Sequence, residues 1–353
     1  HVMEFPETIG EFMSKKHLDQ FKPFMRSRDE DWIKQMKALQ DDPAYCSGAE
    51  REIMLRRGHM ALGAFRKEDR PRALDYLGFT SQLMFTTDSL DNYGLETGET
   101  NALACEAARA HNRMMADFCS VDKRLLATGY VPLVDFDEAP RIASEALEMG
   151  CKGLIIPSRC PPGHSPSHVA FEPLWSVAEQ AGVPVLFHVG GEHKMNTDYH
   201  HNGGPQVLDF HGGAENFTST SFMTIPLSVW QTMSVLLIDG VLDRHQDLKF
   251  AAIELGASWV PSWMRFMDAG VAAFTKGEER LKKLSAKPSE IIRRQFRVTP
   301  YPHEDAGWII ENTGPEVCLF SSDFPHVEGG RNPLKRFGES LEGISSEKQE
   351  RFY

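Results

Sequence analysis

A chain of 353 residues, 41% hydrophobic and 25% charged, has an ordinary globular composition, which argues against extensive disorder. Its 38 basic and 50 acidic side chains give a net charge of −12, which argues against a nucleic-acid partner, since such a partner demands a basic patch. The longest apolar segments are strand-sized, below the ~18 residues of a membrane span. The six scattered cysteines form no C-x-x-C pair, so the expectation is a cytoplasmic protein with reduced thiols. A segment ahead of His1, including a cleaved signal, stays open.

In chain order, His1–Glu4 is the place for a first strand, and residues 5–75 form a charged, mostly helical insert. Short apolar runs then alternate with segments of helical period. Strands are expected at Phe79–Thr86, Leu125–Leu133, Cys151–Pro157, Val183–Val189, Leu248–Leu255, Phe296–Tyr301 and Val317–Ser322. Helices are expected at Asn101–Ser120, Glu138–Met149, Pro173–Gln180, Ile225–Leu242, Trp259–Phe274 and Asp305–Asn312, with a helical tail after Pro333. Near-continuous apolar runs are the mark of parallel strands covered on both faces. Eight such units predict one α/β domain over 1–353, a closed (β/α)₈ TIM barrel. No strand is followed by Gly-x-Gly-x-x-Gly, so a dinucleotide fold has no support. Residues 190–224 form a long loop holding four of the 14 histidines, and a loop this long in a compact domain is usually functional.

Barrel chemistry sits at the C-terminal ends of the strands. His188 ends the apolar strand in VPVLFHVGG; a metal ligand and a backbone-bonded core histidine are equally open readings of it. Asp323 ends CLFSSDFPH, where an acid is costly unless paired or bound to a cation. A helix-cap role fits it poorly because Phe324 and Pro325 follow. His326 lies close enough to support it. Glu254, in FAAIELGASWVP, has apolar neighbours that would raise its pKa and suit acid–base work or metal ligation, with a salt bridge as the alternative. His1 and Glu4 open the chain in HVMEF and could equally be a frayed end. Together these are nitrogen and oxygen ligands of the kind preferred by Zn²⁺ or Mn²⁺.

The sequence resembles the amidohydrolase superfamily, in the branch that includes aminocarboxymuconate semialdehyde decarboxylase. The resemblance runs along nearly the whole chain through HVMEF, GCKGLIIPSR, PLWSVAEQAGVPVLFHVGG, GVLDRHQDLKFAAIELGASWVP and LFSSDFPHVEGG. It implies one divalent metal, Zn²⁺ first and Mn²⁺ or Fe²⁺ as alternatives, bound by His1, His188 and Asp323. His1 matches the second member of a first-strand pair. Glu254 stands where many relatives have a His, and that change bears on the reaction. Asp323, Glu254 and His188 are the implied catalytic residues.

The branch implies either non-oxidative decarboxylation of a small aromatic or unsaturated acid, or hydrolysis of a lactone, amide or similar bond. A carboxylate substrate needs a cation, and Arg56, Arg57, Arg66, Arg159 and Arg297 are available. Arg56 and Arg159 are the expected substrate contacts, with a surface arginine the competing reading for each, and His326 is expected at the pocket; His200, His201 and His211 could shape it or equally be solvated loop residues. A buried Arg facing the metal would favour decarboxylation. A third reading is a barrel without metal that serves as a binding protein. A small-molecule substrate and a homodimer, through residues 5–75 or 259–274, complete the expectations.

Overall fold

The computed structural model describes residues 1–25, 28–205, 207 and 218–353. Six parallel strands form one curled sheet in sequence order: β1 (Gln82–Met84), β2 (Leu125–Tyr130), β3 (Gly153–Ile155), β4 (Val185–His188), β5 (Phe250–Ile253) and β6 (Phe296–Val298). The register sets Leu154 against Val185 and His188 against Ile253, so the ends of β4 and β5 lie level. Helices cover the outer face, among them Asn101–Cys119, Glu138–Glu148, Glu172–Ala181 and Val260–Phe274. Asn101–Cys119 buries Ala104, Ala107, Ala108, Met114 and Met115, a stripe at helical spacing. Trp175 and Trp263 are fully buried between helices and sheet. Each large side chain so buried contributes roughly 2–3 kcal/mol.

Both expected end strands differ from the forecast. Val317–Ser322 meets β6 only through a bridge at Cys318, with Val298 N donating to Val317 O at 2.8 Å and Leu319 N to Val298 O at 2.9 Å. Phe320 N turns instead to Phe352 O of the C-terminal helix, 2.7 Å away. Extended residues 1–4 are tied to β1 by Val2 N donating to Phe85 O at 2.7 Å, and to the far edge by the His1 nitrogen donating to Phe324 O. Each segment thus has too few ladder bonds to be a strand.

Residues 15–77 hold short helices at Lys15–Phe21, Glu30–Asp41, Pro43–Ser47, Ala49–Glu52 and Arg70–Leu77. Asp29 and Asp42 cap two of them, accepting from Trp32 N at 2.7 Å and Ala44 N at 2.8 Å. Part of this region packs through Cys46, Ala49, Ala61, Leu62, Ala64, Ala73 and Leu77 onto Met3 and Phe324, a second apolar cluster. It therefore braces both ends of the sheet.

The expected helix Ile225–Leu242 is broken. Gly240, at φ 76°, separates Pro226–Ile238 from Val241–Arg244, because the left-handed turn there suits only a residue without Cβ. Against expectation, one helical stretch, Ser219–Ile238, is long and apolar enough to cross a membrane by length and composition. Two of its polar residues are buried against the protein: Ser228 Oγ accepts from His193 N at 2.9 Å, and Thr232 Oγ1 donates to Ser158 O at 2.6 Å. Ser234 Oγ accepts from Trp263 Nε1 at 2.8 Å.

Candidate metal centre

Five titratable side chains from distant parts of the chain meet at the C-terminal ends of the strands. They are His1, His188, Glu254, Asp323 and His326. One ligand atom from each of His1, Glu254, Asp323 and His326 falls in a group within 4.8 Å. His1 Nε2 hydrogen-bonds Glu254 Oε1 and lies 3.5 Å from Asp323 Oδ1. His188 Nε2 is 3.4 Å from the other oxygen of Glu254. His326 Nδ1 is 3.1 Å from Asp323 Oδ1 and 3.9 Å from Glu254 Oε1.

The backbone aims these groups. Glu254 and Asp323 are the two non-glycine residues with positive φ among the described residues, at 57° and 50°. Such conformations cost of order 1–3 kcal/mol and persist only where the surroundings impose them. Around Glu254, its N–H donates to Thr299 Oγ1 at 3.2 Å, and Tyr301 Oη donates to its carbonyl at 2.6 Å. Asp323 is held by His326 N donating to its carbonyl at 2.8 Å. It also rests against Gly329, where an added Cβ would sit 2.1 Å from Ser322 O.

The imidazoles are oriented through their second nitrogens. His1 Nδ1 lies 3.1 Å from Thr86 O and His188 Nδ1 lies 2.9 Å from Val189 O, so each directs Nε2 inward. His326 Nε2 is 3.0 Å from Thr87 Oγ1, which itself donates to Val2 O at 2.9 Å. Nothing in the sequence pointed to Thr87. Glu4 stands apart: buried, it accepts from Ser89 N at 2.7 Å and from Ser89 Oγ at 2.6 Å.

Burial raises the Glu254 carboxyl, but the charges of His1 and His188 and the hydrogen bond from His1 outweigh it and hold the group well below the usual carboxylate range. The sequence expectation of a raised value fails because His1 and His188, distant in sequence, bring charges that outweigh the burial. Asp323 is the raised group, through burial and then the adjacent Glu254 charge. His1 is raised because Glu254 outweighs burial.

The donors suit a divalent ion. His188 Nε2 and Asp323 Oδ1 are buried and make no hydrogen bond among the described residues. Buried polar atoms with ion-pair neighbours but no hydrogen bond of their own leave room for a further partner. A tetrahedral ion with bonds of about 2.1 Å separates its ligand atoms by about 3.4 Å. The His188–Glu254 and His1–Asp323 separations of 3.4 and 3.5 Å match that spacing.

The forecast substrate contacts fare differently. Arg56 is engaged elsewhere: Nε donates to Glu52 Oε2 at 2.7 Å, Nη1 to Tyr45 O at 2.6 Å, and the guanidinium stacks 3.8 Å from the Tyr45 ring. Its neighbour Arg57 feels the charges of Asp323 and Glu328, and both of its Nη atoms are buried with no hydrogen bond among the described residues. Gly58 N donates to Pro325 O at 2.8 Å and pins that turn against the Asp323 segment. Arg159 lies 3.7 Å from buried Glu96, whose carboxyl burial pushes up to about 8. Arg66 bonds Gln40 O at 2.7 Å, and Arg297 bonds Arg293 O at 2.9 Å. His211 lies outside the described residues.

A cavity of about 520 Å³ reaches His1, Glu254 and Asp323. It is also lined by Gly78–Leu83 and Leu319–Ser322, so it runs between β1 and the 317–322 segment from the N-terminal end of β1. Barrel substrates enter from the opposite end.

The sequence model of the family described as Amidohydrolase matches residues 27–352. This chain belongs to the amidohydrolase family. Its fold is similar to that of an amidohydrolase from Mycobacterium avium subsp. paratuberculosis K-10, with TM-score 0.67 and 21% identity over 82% of this chain and 72% of that one. It is also similar to 5-carboxyvanillate decarboxylase from Sphingomonas paucimobilis, with TM-score 0.60 and 19% identity over 80% and 79% of the two chains. The 5-carboxyvanillate decarboxylase of Novosphingobium aromaticivorans DSM 12444, complexed with manganese and 4-hydroxy-3-methoxy-5-nitrobenzoic acid, aligns with TM-score 0.62 and 17% identity over 92% and 90%. At these identities the likeness is one of fold. Comparison with curated proteins finds no match.

Proposed function

We propose that this amidohydrolase-family enzyme is a metal-dependent carboxy-lyase that releases carbon dioxide, without redox change, from a small aromatic or unsaturated carboxylic acid. Residues 1–4 and 317–322 would complete a (β/α)₈ barrel around its centre. His1, His188, Glu254 and Asp323 would hold one divalent ion, zinc or manganese.

The observation that carries the reading is Arg57. A guanidinium with both Nη atoms buried and without a hydrogen bond among the described residues is costly, and it suits a bidentate anion from outside the chain. The Asp323 charge acts on it, so a carboxylate held there would share the electrostatic neighbourhood of the metal ligands. Support also comes from the two decarboxylases of similar fold.

When bound, the ion supplies Lewis acidity to a substrate oxygen. Arg57 holds the substrate carboxylate. Asp323, with His326 Nδ1 3.1 Å from its Oδ1, is placed to give a proton to the carbon that loses the carboxylate. The carbon–carbon bond then breaks, its electron pair returns to the substrate and carbon dioxide leaves. Asp323 is reprotonated for the next turnover.

Purified protein should contain about one equivalent of zinc or manganese, lost in His188→Ala and Asp323→Ala. Against hydroxylated and alkoxylated benzoates it should release carbon dioxide, and Arg57→Met should lower kcat/KM by at least about 100-fold, a removed charge-assisted pair being worth about 3 kcal/mol. Lactone or amide hydrolysis without carbon dioxide release would replace this reading with the hydrolase one. A folded protein that binds no metal would sink both.

A further inference from the structure

Arg70 opens the helix Arg70–Leu77 and is completely buried, yet no carboxylate pairs with it among the described residues. A buried charge without a counter-ion costs several kcal/mol unless its donors are well satisfied. Its donors are spent on one small set of groups. Nη1 donates to His1 O at 2.9 Å and to Gly63 O at 3.2 Å. Nε donates to Gln82 Oε1 at 3.0 Å, and Nη2 points to Met84 Sδ at 3.6 Å. The guanidinium carbon lies 5.0 Å from the ring centroid of Phe324, the residue after Asp323.

Besides the nearby Gly63, these contacts converge on three segments. His1 carries a candidate ligand, Phe324 adjoins another, and Gln82 and Met84 belong to β1. The packing allows little slack, since a Cβ on Gly63 would meet Arg70 Cα at 2.6 Å. We infer that Arg70 is a positioning residue of the metal centre, a buried cation that locks the His1 backbone and the Asp323–Phe324 turn to β1 and so holds His1 Nε2 and Asp323 Oδ1 at ligand spacing. A lysine cannot replace it, because one ammonium cannot span the planar fan of acceptors that the guanidinium meets. The inference rests on the metal-centre reading above but not on decarboxylation.

The test is metal affinity of the folded full-length chain, titrated with zinc or manganese against a chelating dye, alongside urea stability. Arg70→Lys should bind metal about 10–100-fold more weakly, as loss of an outer-shell partner does. Its kcat should fall while KM for an accepted substrate stays unchanged. Parental metal affinity in folded Arg70→Lys, whatever its urea midpoint, would overturn the inference. Should that variant not fold, Gln82→Met keeps the guanidinium but removes its Nε acceptor. A several-fold loss of affinity is then expected, and an unchanged value would equally overturn the role. A parent chain that binds no metal would instead defeat the metal-centre reading.

Discussion

At the scale of single residues, one arrangement dominates. Glu254 hydrogen-bonds the His1 imidazole, lies 3.4 Å from that of His188 at the end of β4, and takes a positive φ to do so. Its negative charge makes it useful there, and a neutral amide would lose that charge while keeping the shape. Glu254→Gln should therefore fold with near-parental stability and bind metal at least about 10-fold more weakly, which titration against a chelating dye would read. His111 is the opposite case. It is fully buried in its helix, and neither ring nitrogen has a hydrogen bond among the described residues. Each such orphan costs about 1–3 kcal/mol, so His111→Leu should raise stability at pH 7 by about 1–2 kcal/mol in urea unfolding.

At the scale of elements, the chain after residue 317 is placed by contacts rather than by strand pairing. The turn after Ser322 is pressed against Gly329, where a methyl group would meet backbone at 2.1 Å and Asp323 Cβ at 3.0 Å. Backbone cannot yield as a flexible side chain can. Gly329→Ala should cost about 1–3 kcal/mol of stability and displace Asp323, lowering metal content with no ligand altered. Equilibrium unfolding with elemental analysis of the folded fraction would check both. The 15–77 region acts at the same scale, since its small core includes Met3 and Phe324 and so packs it against the segments that carry His1 and Asp323.

At the scale of the molecule, buried titratable groups set the pH response. Burial pushes His59 down to about 4, helped by the Arg28 charge, and His111 down to about 3. An unfolded His titrates near 6.5, so between about pH 4 and 6.5 the unfolded chain binds more protons than the folded one. Stability should therefore fall on acidification through that window, and His111→Leu should flatten the slope. Glu96 works in the other sense. Its raised value keeps a proton on the folded chain that the unfolded chain releases, so its contribution is lost as pH rises from about 4.5 to about 8. Urea midpoints measured from pH 4 to 9 in parent, His111→Leu and Glu96→Gln would separate the two limbs.

Periodicity along the chain was enough to place β1 to β6 and most of the helices between them, though not Pro288–Gln295 or the break at Gly240, because strand and helix repeats are local properties that burial on both faces writes as apolar runs. The positions of His188 and Asp323 at the ends of such runs were readable for the same reason. Strand status at residues 1–4 and 317–322 was not, because it depends on which backbone groups their neighbours leave free. The surroundings of Arg56 and Arg57, the low-titrating Glu254 and the buried Arg70 were likewise decided only by the folded chain. Each depends on charges and acceptors brought together from segments separated by up to some 250 residues, such as His1 and Glu254. At contact distance in a buried site the Coulomb term outweighs local apolar context, and no pattern of neighbouring residues encodes which distant charge will arrive.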